Sequence, residues 1–149
     1  EKDKRSKRLL NNCHTAKELM KYPVNVKYNN LGPNINSKYP DYYPYVTKDE
    51  ELLAFTSRRP SNIGSRKEFD GYYPSDVWLV KKRNNGGWGV AQNAGRHVNT
   101  TYDEEVVGLS GKGKTMYVYI DHIKEVGDIY KSEMSNTGFT EVKKIRISK

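Results

Sequence analysis

An internal repeat constrains the fold of this 149-residue chain more than any other feature of its sequence. Moving residues 30–56 forward by 63 positions places similar residues on one another. The offset then falls to 52, because residues 58–75 form an 18-residue insertion where the second copy has the seven residues 121–127. Repeats of this length are typical of arrayed supersecondary units. The aligned pairs are Asn30/Asn93, Gly32/Gly95, Asn36/Asn99, Tyr39/Tyr102, Asp41/Glu104, Thr47/Ser110, Leu53/Met116, Phe55/Val118, Asp76/Asp128 and Trp78/Tyr130.

Each unit contains four short apolar runs with turn-forming residues on both sides. Runs of this kind predict strands, and the 12 tyrosines of the chain favour strands as well. Repeated units of four strands predict a mainly β fold, a partial β-propeller with one blade in residues 42–92 and another in residues 105–145. The eight predicted strands are 42–46, 52–57, 76–80, 88–91, 105–109, 116–120, 128–132 and 139–145.

The first residues follow a helical period instead. A stripe of apolar residues within 6–21 predicts one α-helix, and Pro23 ends the pattern. We therefore expect a helix in residues 1–22 and propeller blades in residues 23–149, with Cys13 as a small buried core residue of the helix. The stripe consists of Leu9, Cys13, Ala16 and Met20.

Immediately after Pro23 the period changes again. Val24, Val26 and Tyr28 alternate with polar residues, which predicts a strand over residues 24–28. Because this strand lies outside both repeats, we expect it to complete the outer edge of a neighbouring blade.

The segment 108–115, GLSGKGKT, matches the pattern of a nucleotide-binding phosphate loop. A phosphate loop needs a helix N-terminus after it, whose free N–H groups hold the phosphates. Here the strand-like sequence MYVYI follows, and the counterpart in the first repeat, residues 45–52, has neither glycine nor the Walker lysine. We interpret the match as a hairpin turn and predict no nucleotide and no other cofactor.

Charge and reactive side chains exclude several other functions. Half of the net charge of +8 lies in residues 1–22, so the remainder is too dispersed to predict nucleic-acid binding. One cysteine and three scattered histidines predict neither a disulfide nor a metal site. Ser110 lacks the G-x-S-x-G elbow of a hydrolase nucleophile. The sequence therefore predicts a protein that is not an enzyme and has no catalytic, cofactor-binding or metal-binding residues.

The repeat argues against a functional interpretation of two pairs of residues. Asp76 and Asp128 occupy equivalent positions, so we expect each to accept hydrogen bonds from turn backbone rather than to form an acid pair. Trp78 and Trp88 have two interpretations, as ligand platforms or as residues that pack between blades. Their strand positions favour packing between blades.

The insertion 58–75 is the feature that the repeat does not explain. It is basic at its start and aromatic near its end, and loops on rigid scaffolds often carry binding sites. We predict a protein-binding rim loop here, the alternative being a plain surface loop. The candidate residues are Arg58, Arg59, Arg66, Lys67, Phe69, Tyr72 and Tyr73.

The repeat resembles the WD40-like PD40 repeat of TolB-type propellers. The resemblance rests on NLGPNINSKYPDYYPYVTKDEELLAFTSRR, DVWLVKK and GGWG in the first copy, and on NAGRHVNTTYDEEVVGLSGKGKTMYVY and GDIYKSE in the second. The usual Ser-Pro-Asp-Gly-Lys turn is degenerate in both copies. The segment from Asn11 to Pro44 is similar to envelope proteins of Bacteroidota that join tetratricopeptide helices to such a propeller, commonly followed by an OmpA-like domain.

This resemblance implies a non-enzymatic interaction scaffold in the periplasm, associated with the outer membrane, within assemblies such as type IX secretion. Protein partners in the cell envelope are expected, with peptidoglycan bound only through a domain outside this chain. The helix in residues 1–22 would then be the end of a tetratricopeptide-like region. The alternative is a propeller that accompanies a hydrolase whose catalytic part lies outside this chain.

Overall fold

A computed structural model describes residues 2–122 and 126–146 of the chain. The chain forms two compact units, Glu1–Asn30 and Leu31–Lys149. The first unit holds a single helix, α1 (Lys2–Leu19), with Asp3 in its first turn and Lys17 in its last, an arrangement that suits the helix dipole. The predicted helix is present.

The side chains of α1 do not form the predicted core. Cys13 is exposed, as are Leu9 and Leu10, because the described part of this unit has no second helix or strand to cover the apolar stripe. The prediction that Cys13 is a buried core residue was therefore wrong.

The strand predicted at residues 24–28 was wrong as well. The described residues show no strand there, and Val24, Val26 and Tyr28 are all exposed. The N–H of Val26 donates to the carbonyl of Val24 at 2.9 Å, which closes a tight local turn. A segment of alternating polarity forms a strand only when another strand pairs with it, and residues 2–30 contain no such strand.

The second unit is a pair of antiparallel sheets. The order is β1-β2-β3-β4 in sheet 1 and β5-β6-β7-β8 in sheet 2, and β9 adds to β7. The coarse prediction, mainly β with one helix, is confirmed for the described residues. The strands are β1 (Asp41–Val46), β2 (Leu52–Ser57), β3 (Asp76–Lys81), β4 (Gln92–Asn93), β5 (Asp103–Leu109), β6 (Thr115–Asp121), β7 (Asp128–Ser135), β8 (Gly138–Phe139) and β9 (Lys143–Lys144).

The predicted fourth strands, 88–91 and 139–145, are both interrupted. Trp88 makes a single bridge with Lys82, and pairing to β3 resumes only at β4. In sheet 2, β8 and β9 pair separately with β7. The cause is the same in both: the N–H of Ala91 donates to Asn34 O at 2.8 Å, and that of Val142 to His97 O at 3.0 Å. Each strand is broken by a bond to the turn that precedes its own sheet.

The repeat extends to those turns. Ile35 and Asn36 both donate their N–H groups to Gly32 O, and 63 residues later Val98 and Asn99 donate to Gly95 O. Gly32 has φ +84° and Gly95 has φ +87°, left-handed values that favour glycine. The repeat therefore has glycine at both positions because the backbone there has a positive φ.

Apolar residues cover both faces of sheet 1. One cluster lies between the two sheets. Its members come from β2 and β3 on one side, and from β5, β6, β8 and the turn at Val98 on the other. A second cluster covers the opposite face of sheet 1 and includes Phe55, Trp78 and Ile35. All six residues of β2 are consequently buried, whereas burial in β6 alternates along the strand. Sheet 2 therefore has one covered face and one open face.

Candidate functional site

The base of the 58–75 loop is fixed by Asn62. Its amide nitrogen donates to Ser57 O at 2.6 Å and to Pro74 O at 2.7 Å, joining the two ends of the loop. Its amide oxygen accepts a 2.9 Å bond from the indole nitrogen of Trp78. Asn62 is buried, so these bonds are shielded from water. The loop therefore leaves the sheet from a rigid base.

Arg58, at the start of the loop, bonds to residues in the second half of the loop. Its guanidinium pairs with Glu68 and with Asp70, donates to Tyr73 O at 2.9 Å, and lies 5.4 Å from the centre of the Tyr72 ring. The hydrogen bond from Arg58, with a second from the Tyr72 N–H, lowers the pKa of Asp70. Arg58 thus holds the loop in one shape, and Tyr72 is its partner.

The structure places Arg59 inside the fold. Its guanidinium donates to Asp41 at 3.0 Å and to Ile35 O, and its Nε donates to Ser57 Oγ at 2.8 Å. The same group lies over the rings of Phe55 and Trp78. Arg59 therefore closes the outer face of sheet 1.

The remaining candidates line or border a cleft of about 350 Å³. Arg66, Lys67 and Phe69 are exposed, and Phe69 is fully so. Lys67 lies 5.9 Å from the centre of the Tyr73 ring, which meets Tyr39 edge to face. Across the cleft stand residues of sheet 2 and of the segment that leads into it: Thr101, Tyr102, Asp103 and Asp121.

Acidic residues give this cleft its electrostatic character. Burial, together with the negative charge of Asp103, raises the pKa of Glu68 in spite of its pairing with Arg58. One oxygen of Asp103 accepts both the N–H (2.7 Å) and the hydroxyl (2.9 Å) of Ser75, which joins the end of the loop to β5. The loop side of the cleft thus carries Arg66 and Lys67 together with Glu68, and the opposite side carries the carboxyl groups of Asp103 and Asp121.

The two aligned aspartates differ in their contacts. Asp76 accepts bonds from the Ile63 N–H at 2.9 Å and from the Asn93 side chain at 2.5 Å, so the expected turn-backbone bond is present. Asp128 pairs with the Lys144 side chain. Because Asn93 in β4 and Lys144 in β9 occupy matching positions, an amide in sheet 1 is replaced by a cation in sheet 2.

The two tryptophans belong to the outer face of sheet 1. Trp78 lies in the cluster that faces away from sheet 2, and Trp88 packs against that cluster. Their counterparts Tyr130 and Phe139 contribute to the cluster between the sheets. Trp78 and Trp88, for which packing between blades was predicted, therefore do not lie between the two described sheets.

The Walker-like octapeptide is a hairpin turn between β5 and β6. Gly113 donates its N–H to Ser110 O at 2.7 Å, and Thr115 donates its N–H to Ser110 Oγ at 2.9 Å. N–H groups that a phosphate loop would direct at its ligand are therefore used inside the turn, and a strand follows. Thr47, Glu50 and Leu52 make the matching bonds in sheet 1.

Potential metal-binding side chains are scattered in the described part of the chain. Within residues 2–122 and 126–146, no three His, Cys, Asp or Glu residues are placed to hold a metal ion. His122 lies against Tyr102 and Tyr130, with 3.1 Å from its Nε2 to the Tyr130 hydroxyl. α1, the helix of the described chain, is not apolar enough to cross a bilayer.

Comparisons with protein-family models, with curated proteins and with solved structures found no match to this chain.

Proposed function

We propose that this chain is part of a β-propeller and acts as a non-enzymatic interaction scaffold, with the outer part of the 58–75 loop as its binding surface. The proposal has two parts, the propeller and the surface. Each is supported by a different feature of the second unit.

The propeller is supported by the open face of sheet 2. In sheet 1 the corresponding face is covered by sheet 2, and Ala54 and Val77 are 0% exposed. Their counterparts in sheet 2, Tyr117 and Ile129, are 39% and 46% exposed. A propeller repeats one packing step between successive blades. A further blade packed on sheet 2 as sheet 2 packs on sheet 1 would cover Tyr117 and Ile129.

The binding surface is supported chiefly by the full exposure of Phe69 at the end of a fixed loop. An aromatic side chain exposed in this way has no role in the stability of the fold, and aromatic residues dominate binding energy at protein interfaces. Asn62 and Arg58 already hold the loop base, so a partner would not bear the cost of ordering it. Glu68 and Asp70, on either side of Phe69, are paired with Arg58. The exposed cations near Phe69 are therefore Arg66 and Lys67, which favour a partner with acidic residues around an apolar pocket.

The cellular location that we propose for this scaffold rests on the PD40-like resemblance. We infer an envelope protein of the periplasm, associated with the outer membrane, whose partners are other envelope proteins. The absence of a hydrolase elbow at Ser110 favours a scaffold over an enzyme.

The test is a photo-crosslinking residue at position 69 in cells that make the protein. We expect one discrete protein adduct on irradiation. The matched control carries the same residue at Val90, which is 64% exposed on the same unit and lies outside the loop. The same adduct from position 90, or none from position 69, would contradict the binding surface.

A further inference from the structure

Asp41 and Glu104 are equivalent carboxyl groups at the starts of the two sheets. Asp41 accepts the Ser37 N–H at 2.7 Å and the Ser37 hydroxyl at 3.0 Å. Sixty-three residues later, Glu104 accepts the Thr100 N–H at 2.9 Å and the Thr100 hydroxyl at 2.5 Å. The local turn has therefore been kept in both copies.

Their remaining partners differ. Asp41 also receives the Arg59 guanidinium and the Ser57 hydroxyl, the latter at 2.6 Å. Strand pairing matches Ser57 with Ile120, which has no polar group, because they lie opposite Asp41 and Glu104. Two residues further on, the position of Arg59 is matched by His122, which contacts Tyr130. Among the described residues, no Lys, Arg or His forms an ion pair with Glu104. The carboxyl that is neutralised in sheet 1 lacks a cation in sheet 2.

Glu104 lies at the junction where the two sheets join. Its N–H donates to Ser75 O at 2.8 Å, just before β3, and its side chain is 0% exposed. Apart from Thr100, which donates to the carboxyl, the charges that act on Glu104 are negative: Asp76 of β3 and Asp103 of β5. The charge of Asp103 also acts on Glu68 of the loop. Asp76 is also 0% exposed, and its Oδ1 has no hydrogen-bond partner within the described residues.

We propose that this junction is a proton-sensitive contact, which holds the two sheets together while Glu104 and Asp76 carry protons and weakens when they ionise. Two buried carboxylates from facing sheets repel each other, and neither can reach water without opening the contact. In sheet 1 the guanidinium of Arg59 neutralises the carboxylate of Asp41. In sheet 2 the matching residue, His122, contacts Tyr130 and forms no ion pair with Glu104. The inference does not depend on what the 58–75 loop binds.

The direction of the pH effect follows from the two groups. Burial, opposed by the bonds from Thr100 and reinforced by the charges of Asp76 and Asp103, raises the pKa of Glu104 from 4.5 to about 8. Burial raises the pKa of Asp76 from 3.8 to about 6, against the bonds from Ile63 and Asn93. A raised pKa means that the folded state holds the proton more tightly than the unfolded state. The stability that these two groups contribute is therefore full below their ordinary pKa values of 3.8 and 4.5. It is lost as pH rises from there to about 6 for Asp76 and to about 8 for Glu104.

The test is the thermal unfolding midpoint of the 149-residue chain between pH 5 and pH 9. We expect the midpoint to fall by roughly 5 °C or more across this range. Glu104→Gln and Asp76→Asn should each flatten the fall, and the exposed control Glu141→Gln should keep it. His122→Arg, which restores the cation found in sheet 1, should flatten it as well.

A fall of the same size in both Glu104→Gln and Asp76→Asn would overturn the proposal, as would a midpoint that does not fall in the unchanged chain. Should one variant fail to fold, a carbon-13 NMR titration of the Glu104 carboxyl in the unchanged chain decides the question. Titration near pH 8 supports the proposal, and titration near the ordinary value of 4.5 contradicts it.

Discussion

The guanidinium carbon of Arg59 lies 4.6 Å from the centre of the Trp78 ring, and the same guanidinium is paired with the carboxylate of Asp41. This contact joins the loop after β2 to β3 and to the start of β1. It covers a face of sheet 1 whose counterpart in sheet 2 is covered by sheet 1. Arg59 of the insertion, together with Ile35 and Trp88, therefore covers the face that a neighbouring sheet covers in sheet 2.

Replacement of Arg59 by alanine should destabilise the second unit by about 3 kcal/mol, because it leaves a buried carboxylate without its cation. The side chains of Arg59 and Asp41 are both 12% exposed, so solvent cannot replace the lost partner. Chemical denaturation measures the change. Arg66→Ala, in the exposed part of the same loop, should stay within about 0.5 kcal/mol of the unchanged chain. Equal losses in the two variants would show that Arg59 has no special place in the fold.

The matched positions Asn93 and Lys144 should differ in their importance. Asn93→Ala removes a bond to the buried carboxylate of Asp76 and should cost about 2 kcal/mol. Lys144→Ala removes an exposed ion pair with Asp128 and should cost less than about 1 kcal/mol. Denaturation midpoints of the two variants test this order, and the reverse order would contradict the assignment of Asn93 to the buried network.

Lys114 should have no role in nucleotide binding. Lys114→Ala should change stability by less than about 0.5 kcal/mol, since this exposed side chain belongs to a hairpin turn. Calorimetric titration with magnesium and ATP or GTP should show background heat in both proteins. Saturable micromolar binding that disappears with Lys114→Ala would contradict the turn interpretation.

Sequence reasoning succeeded where local pattern decides structure. The bounds of β2 were predicted as found, because a continuous apolar run between turns leaves few alternatives. The repeat aligned Gly32 with Gly95, and the structure shows that the turns at these positions share their hydrogen bonds. The interrupted fourth strands could not be predicted, since the breaks depend on bonds from Ala91 and Val142 to distant carbonyl groups.

The candidate loop shows the same limit. Its composition indicated a surface for binding, yet the loop geometry uses Arg58 and Arg59 to hold the fold and leaves Arg66, Lys67 and Phe69 exposed. Only the contacts of each arginine in the structure distinguish a residue that holds the fold from one that is free to bind a partner. The missing cation of Glu104 could not be predicted, because Arg59, which neutralises the aligned carboxyl of Asp41, lies in the insertion that the alignment leaves unmatched.

The central claim is that sheet 2 exposes a face built to be covered by a further sheet. Light scattering on the 149-residue chain tests it most directly. We predict a mass above the 17.2 kDa monomer that rises with concentration, because Tyr117 and Ile129 associate between molecules. The double variant Tyr117→Lys, Ile129→Lys should return the chain to a monomer with its fold intact. A constant 17.2 kDa mass for the unchanged chain over the same concentrations would contradict the claim.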